Sequence, residues 1–100
     1  MSELVFDDGN GRWPILMRPD EVINLKEARH RLRRTDKTTR KICRQFAISR
    51  QAFPSGPLEI SAPALEMVIH GDMAALELLR QGRRDSLRVI RYFEFLGISP

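Results

Sequence analysis

Between positions 33 and 44 the chain sets out Arg33, Arg34, Lys37, Arg40, Lys41 and Arg44, with Thr35 and Thr38 among them. Side chains of this kind break no bonds; they recognise anions. Arginine presents a planar fork of donors that matches a phosphate or the major-groove edge of guanine. Residues 26–50 hold ten basic and two acidic side chains, a net of +8, whereas 1–25 carry −3 and 51–100 carry −1. Fourteen of the seventeen basic residues are arginine, the type suited to bidentate contacts. Excess charge gathered into a quarter of the chain marks a footprint on a polyanion rather than a cationic face kept for solubility.

Other chemistry is poorly represented. The single cysteine, Cys43, cannot staple the fold internally, and two isolated histidines make no metal set. No Ser/His/Asp arrangement or Gly-rich phosphate loop is present, Gly9-Asn-Gly11 being too short, so neither catalysis nor a cofactor is expected. Apart from Phe46, assigned inward below, the basic region lacks the aromatic residues on which single-stranded RNA would stack. One hundred residues at 42% hydrophobic and 30% charged describe one small globular domain. No apolar run approaches the ~20 residues of a membrane span, and the acidic N-terminus lacks the layout of a secretory signal. The expected protein is cytoplasmic, with no membrane partner.

The elements that must position the basic residues are two short helices. Asn24 reads as an N-cap with Glu27 three positions on, and Leu25, Ala28 and Leu32 follow at 3–4 spacing, predicting a helix over 25–32. Thr35 reads as a second N-cap. Beyond it Thr39, Ile42, Cys43 and Phe46 fall at i, i+3, i+4, i+7, one buried helical stripe. Only Arg33 and Arg34 separate the helices, as in a helix-turn-helix. The same period turns Lys37, Arg40, Lys41 and Arg44 outward, and the helix N-terminus offers backbone N–H groups suited to phosphate. Cys43 becomes a small core residue and His30 a surface one.

On either side the pattern changes. Ala47–Phe53 and Leu58–Ile60 flank the turn-forming Pro54-Ser-Gly-Pro57, predicting a hairpin that either reaches a minor groove with Arg50 and Gln51 or simply covers the core. Ser61 caps a helix with Pro63 in its first turn, Leu65, Val68 and Ile69 inward and Gly71 after it. Asp72 caps another through Gln81 with Leu76 and Leu79 inward, closed by Gly82; Asp85 or Ser86 caps a last one carrying Leu87, Ile90, Phe93 and Leu96 inward. Tyr92 and Phe95 lie off that stripe, so they are expected to meet the N-terminal arm near Trp13 or to form a self-association surface. Leu4-Val-Phe6 and Trp13–Met17 read as a hairpin or as a loose arm.

Leu25-Lys-Glu-Ala28, Leu32-Arg-Arg-Thr35, Thr38-Thr-Arg-Lys-Ile-Cys-Arg44 and Ser61-Ala-Pro-Ala-Leu-Glu66 follow one another in a familiar order. In that order and spacing, residues 22–71 resemble the excisionase and MerR-like winged-helix family, except that Arg33 replaces the glycine of the family's turn. The resemblance implies a mainly α fold with a small β-hairpin: an N-terminal arm or hairpin over 1–21, a winged helix-turn-helix DNA-binding domain over 22–71, and a C-terminal helical extension over 72–100. It implies that the second helix enters the major groove and the hairpin meets the minor groove or backbone. Arg33, Arg34, Thr35, Lys37, Thr38, Arg40, Lys41, Arg44, Arg50 and Gln51 would then contact double-stranded DNA. The implied role is that of a bacterial recombination directionality factor, which binds repeated attachment-site sequences, bends them and helps a site-specific recombinase excise a mobile element. Self-association on DNA through Tyr92 and Phe95 would serve that role. A small winged-helix transcription regulator at promoter repeats is the alternative, followed by an antitoxin-like interaction module whose basic face meets an acidic protein.

Overall fold

Side-chain caps decide where most of the helices begin. In the computed structural model, which describes residues 12–100, the Asn24 side chain accepts from the Glu27 N–H at 2.8 Å and starts α1 (Leu25–Leu32). Glu27 turns its carboxylate to Arg31 at 3.0 Å, so the capping box is only half made. Thr35 Oγ1 accepts from Thr38 N–H at 3.2 Å and starts α2 (Asp36–Phe46). Ser61 does the same for α3 (Ala62–Ile69) through Ala64 N–H, and Asp72 for α4 (Met73–Arg80) through Ala75 N–H. Helix α5 (Leu87–Leu96) follows Ser86 with no side-chain cap. These boundaries agree with the sequence to within a residue.

The ends are equally local. Gly71, at φ 69°, closes α3 while its N–H reaches Val68 O and the Asp72 N–H reaches Met67 O, a Schellman turn. The connection from α1 to α2 makes the same left-handed turn without glycine, at Arg33 with φ 59°.

Three short strands complete the fold: β1 (Val22–Ile23), β2 (Ser49–Arg50) and β3 (Glu59–Ser61), antiparallel in the order β1-β3-β2. Ser49 pairs with Ile60 and Arg50 with Glu59, which is the expected hairpin across 51–58. Val22 pairs with Ser61 and Ile23 with Ile60, an edge that the sequence reading did not anticipate. The stretch 4–17, expected as a hairpin or a loose arm, fares differently. Its first run lies outside the described residues, and its second, Trp13–Met17, forms no strand. There the carbonyl of Trp13 accepts from Arg80 and that of Leu16 from Arg84, so arginine side chains satisfy a backbone that a ladder would otherwise have paired.

Helix α3 lies at the centre, with Ala62 through Met67 all buried, and packs against α1, α4 and α5. Around it Ile48, Ile60, Val89 and Phe93 are fully buried. Two inward assignments are corrected here. Ile69 is 40% exposed, because the α3 stripe is buried only until its last turn. On α5, Phe93 is buried as expected and Ile90 and Leu96 are half-buried, but Leu87 is 83% exposed, and Val89 and Tyr92 join Phe93 in the core. Wedged against both α3 and α4, α5 buries the residues aimed at their junction, and its apolar residues are dense enough that periodicity alone could choose the wrong stripe.

Buried charge ties the start of the described chain to its C-terminal half. Glu21 is fully buried and takes a two-pronged contact from Arg84 at 2.8 and 2.9 Å, with Arg18 on the same carboxylate at 3.0 Å. No helix among the described residues is long and apolar enough to cross a membrane.

Candidate nucleic-acid interface

Helix geometry assigns the α2 side chains to two opposite arcs. At about 100° per residue, Lys37, Arg40, Lys41 and Arg44 fall within about 100° of helix surface, and Thr39, Ile42, Cys43 and Phe46 occupy the opposite side. The structure agrees: the four basic residues are exposed, Thr39 and Cys43 are buried, and Ile42 and Phe46 are half-buried. Burial pushes the Cys43 thiol up to about 11 despite the opposing pull of Arg40, so it stays a neutral packing group.

Pairing separates these cations from most of the other arginines. In the C-terminal half Arg80, Arg83, Arg84 and Arg88 each meet a carboxylate within 3.4 Å. Beside α2, Arg29 meets Asp36 at 3.2 Å and Arg31 meets Glu27 and Glu66. Among the described residues, Lys37, Arg40, Lys41 and Arg44 have no ion-pair partner. A strip of uncompensated charge on a rigid helix is a surface ready for an external anion.

The other expected contacts are placed less openly. Arg33 and Arg34 are exposed in the turn, where Arg34 folds back on the Arg33 carbonyl at 3.1 Å. Arg33 holds a left-handed conformation that glycine adopts more cheaply, so its side chain is retained at a backbone cost. Thr35 and Thr38 bond to each other at 3.2 Å as part of the cap. Asp36 puts a carboxylate at the first turn of α2, which works against the expected phosphate at that helix end. Arg50 is bound to Glu59 across the hairpin at 2.7 Å, and Gln51 Nε2 holds the loop through Pro54 O and Gly56 O. Both therefore shape the hairpin in the free protein.

The expectation for Tyr92 and Phe95 needs correction. Tyr92 is only 9% exposed and donates to Asp72 Oδ2 at 2.9 Å, so it belongs to the core and not to a self-association surface. Phe95 stays 69% exposed. Both rings lie edge-on to His70, at 6.1 and 6.4 Å, rather than against Trp13, because α5 is seated at the junction of α3 and α4 that carries His70. His30 is exposed as expected.

Two features were missed in the sequence. One is Arg80: its side chain is 4% exposed and donates to the carbonyls of Phe46, Ala47 and Trp13 at 2.9, 3.2 and 2.9 Å. It thereby caps the C-terminus of α2 from another helix. The other is an open cleft of about 450 Å³ between α2, the hairpin and residues 12–14, on whose walls Arg40, Arg44, Arg50 and Gln51 come together. Arg33, Arg34, Thr35 and Thr38 gather separately, around a depression at the opposite end of α2. Neither the arm nor Arg80 carries a local signal, since each depends on which carbonyls the fold brings near. Among the described residues no group of three His, Cys, Asp or Glu side chains is disposed to hold a metal ion. Comparison with protein-family models, curated proteins and solved structures returned no match.

Proposed function

We propose that this chain is a winged helix-turn-helix protein that binds double-stranded DNA and serves as an excisionase. On this reading α2 lies in the major groove and the β2–β3 hairpin is the wing. The observation that carries DNA binding is the unpaired arc of Lys37, Arg40, Lys41 and Arg44, set opposite the packing stripe in a chain that pairs most of its other arginines. Eleven residues make α2 about 16 Å long, and a major groove about 12 Å wide admits such a helix. The role in excision rests on the resemblance of residues 22–71, with their basic charge in its support.

Salt dependence tests the binding directly. Four phosphate contacts give a slope of about −3.6 for log affinity against log salt on duplexes of unrelated sequence, and each lost contact makes it shallower by about 0.9. Arg44→Ala is expected to keep the thermal midpoint. It should cost about 1–3 kcal/mol on a specific site if Arg44 grips a base edge. A slope near zero, with tight binding to an acidic protein instead, would favour the antitoxin-like alternative. Bending of an attachment site and stimulation of excision by its recombinase are expected; promoter repression without either would favour the regulator.

A further inference from the structure

Trp13 is 71% exposed although Ile15, two residues on, is buried. An indole left so bare on a small protein is unusual unless something covers it. Its position is not loose. The Trp13 carbonyl is held by Arg80 at 2.9 Å, and the same guanidinium holds Phe46 O and Ala47 O at the end of α2. One buried group thus fixes the arm and the basic helix to each other.

The cleft beside Trp13 has a lining that mixes arginines with apolar groups. Its lining joins Arg40 and Arg44 of α2 to Trp13 and Pro14 of the arm, with Cys43 and Leu58 among the apolar groups. That combination suits a strand of sugar and phosphate, in which charged and apolar parts alternate along the chain. Resting on the DNA-binding reading above, we infer that the cleft receives one backbone strand of the duplex whose groove α2 enters. Trp13 covers a deoxyribose and donates its indole N–H to a phosphate, while Arg40 and Arg44 neutralise the flanking phosphates. Residues 12–14 therefore form a third element of the interface, beside the helix and the hairpin. The basic stretch itself holds no aromatic but Phe46, and the fold brings Trp13 beside it from twenty-seven positions upstream of Arg40.

Trp13 is the single tryptophan of the chain, so tryptophan emission reports on the surroundings of this one residue, which lines the cleft and also a depression beside Glu77 and Gln81. The experiment titrates the full chain with an end-labelled, mixed-sequence duplex and follows label anisotropy and tryptophan emission together. The expected result is a change in Trp13 emission that saturates with the anisotropy curve. Trp13→Ala is expected to bind about tenfold more weakly, the loss of one charge-assisted hydrogen bond, and to keep the wild-type melting temperature. Anisotropy that rises while Trp13 emission stays constant, with Trp13→Ala binding like the wild type, overturns the inference and leaves the α2 reading standing. No anisotropy change with any duplex overturns that reading itself. A single strand of the same length that binds more tightly than the duplex, with the larger change in emission, also overturns the inference, since the cleft then serves unpaired bases.

Discussion

Replacing Arg80 with Met keeps the aliphatic stem that packs in the core and removes the donors that hold three carbonyls. Hydrogen bonds from a charged donor contribute about 1.5–3 kcal/mol each, which sets a gross loss of roughly 4–9 kcal/mol. Two effects reduce it. Releasing a buried guanidinium recovers several kcal/mol of desolvation, and water can reach some of the freed carbonyls, since Ala47 is half-buried and Trp13 is exposed. The pair with Glu77 adds little, because that carboxylate is 56% exposed. A net loss of about 3 kcal/mol remains, and at about 4–8 °C per kcal/mol for a domain of this size it lowers the melting temperature by roughly 12–24 °C. Thermal melts followed by far-ultraviolet circular dichroism measure it. Arg80→Lys, which keeps the charge without the fork, is expected to fall between Met and wild type. A shift of less than about 4 °C for Arg80→Met would mean a contribution below about 1 kcal/mol and refute the claim that Arg80 anchors α2.

Arg33→Gly relieves the left-handed strain at the α1–α2 turn but frees the unfolded chain, so stability should rise by no more than about 1 kcal/mol, while duplex binding weakens; melting and anisotropy measured together check both. Burial pushes the Asp72 carboxyl up, but the Ala75 N–H, the Tyr92 hydroxyl and Arg88 outweigh it and hold the group below its ordinary value. Because the folded value is the lower one, this stabilisation is present above about pH 3.9 and is lost as pH falls through the folded value. Melting temperature against pH should therefore drop less steeply in this acid range for Asp72→Asn, which retains the cap. Cys43 should resist thiol reagents at pH 8 until the protein unfolds, since its thiol is buried and titrates near 11; rapid labelling of native protein would contradict its place in the core.

What could be read from the sequence was what neighbours in the chain decide. Asn24, Thr35 and Ser61 each cap a helix through an N–H three residues on, so residue type and spacing sufficed to place the starts of α1, α2 and α3. The outward arc of α2 followed from one unambiguous stripe. Helix α5 resisted the same treatment because most of its residues are apolar, and its inward side meets Asp72 and His70 at the caps of α4 and α3. Strand β1 is two residues long and exists only because β3 lies beside it. Glu21 and Arg80 look like ordinary surface charges until the fold supplies Arg84 to one and three carbonyls to the other.

The pairing of Val22 with Ser61 also bears on how quickly the basic helix acquires its place. Closing β2 on β3 spans roughly ten residues, whereas closing β1 on β3 spans roughly forty, and two doublings of loop length cost about 1.2 kcal/mol more in chain entropy. On this entropy the hairpin is expected to close first and the β1 edge last, with α1 and α2 enclosed in the loop that the last step seals. Weakening the edge at Val22 should then leave the folding rate nearly unchanged and accelerate unfolding. The lifetime of the assembled basic face would be governed by a two-residue strand that lies outside it.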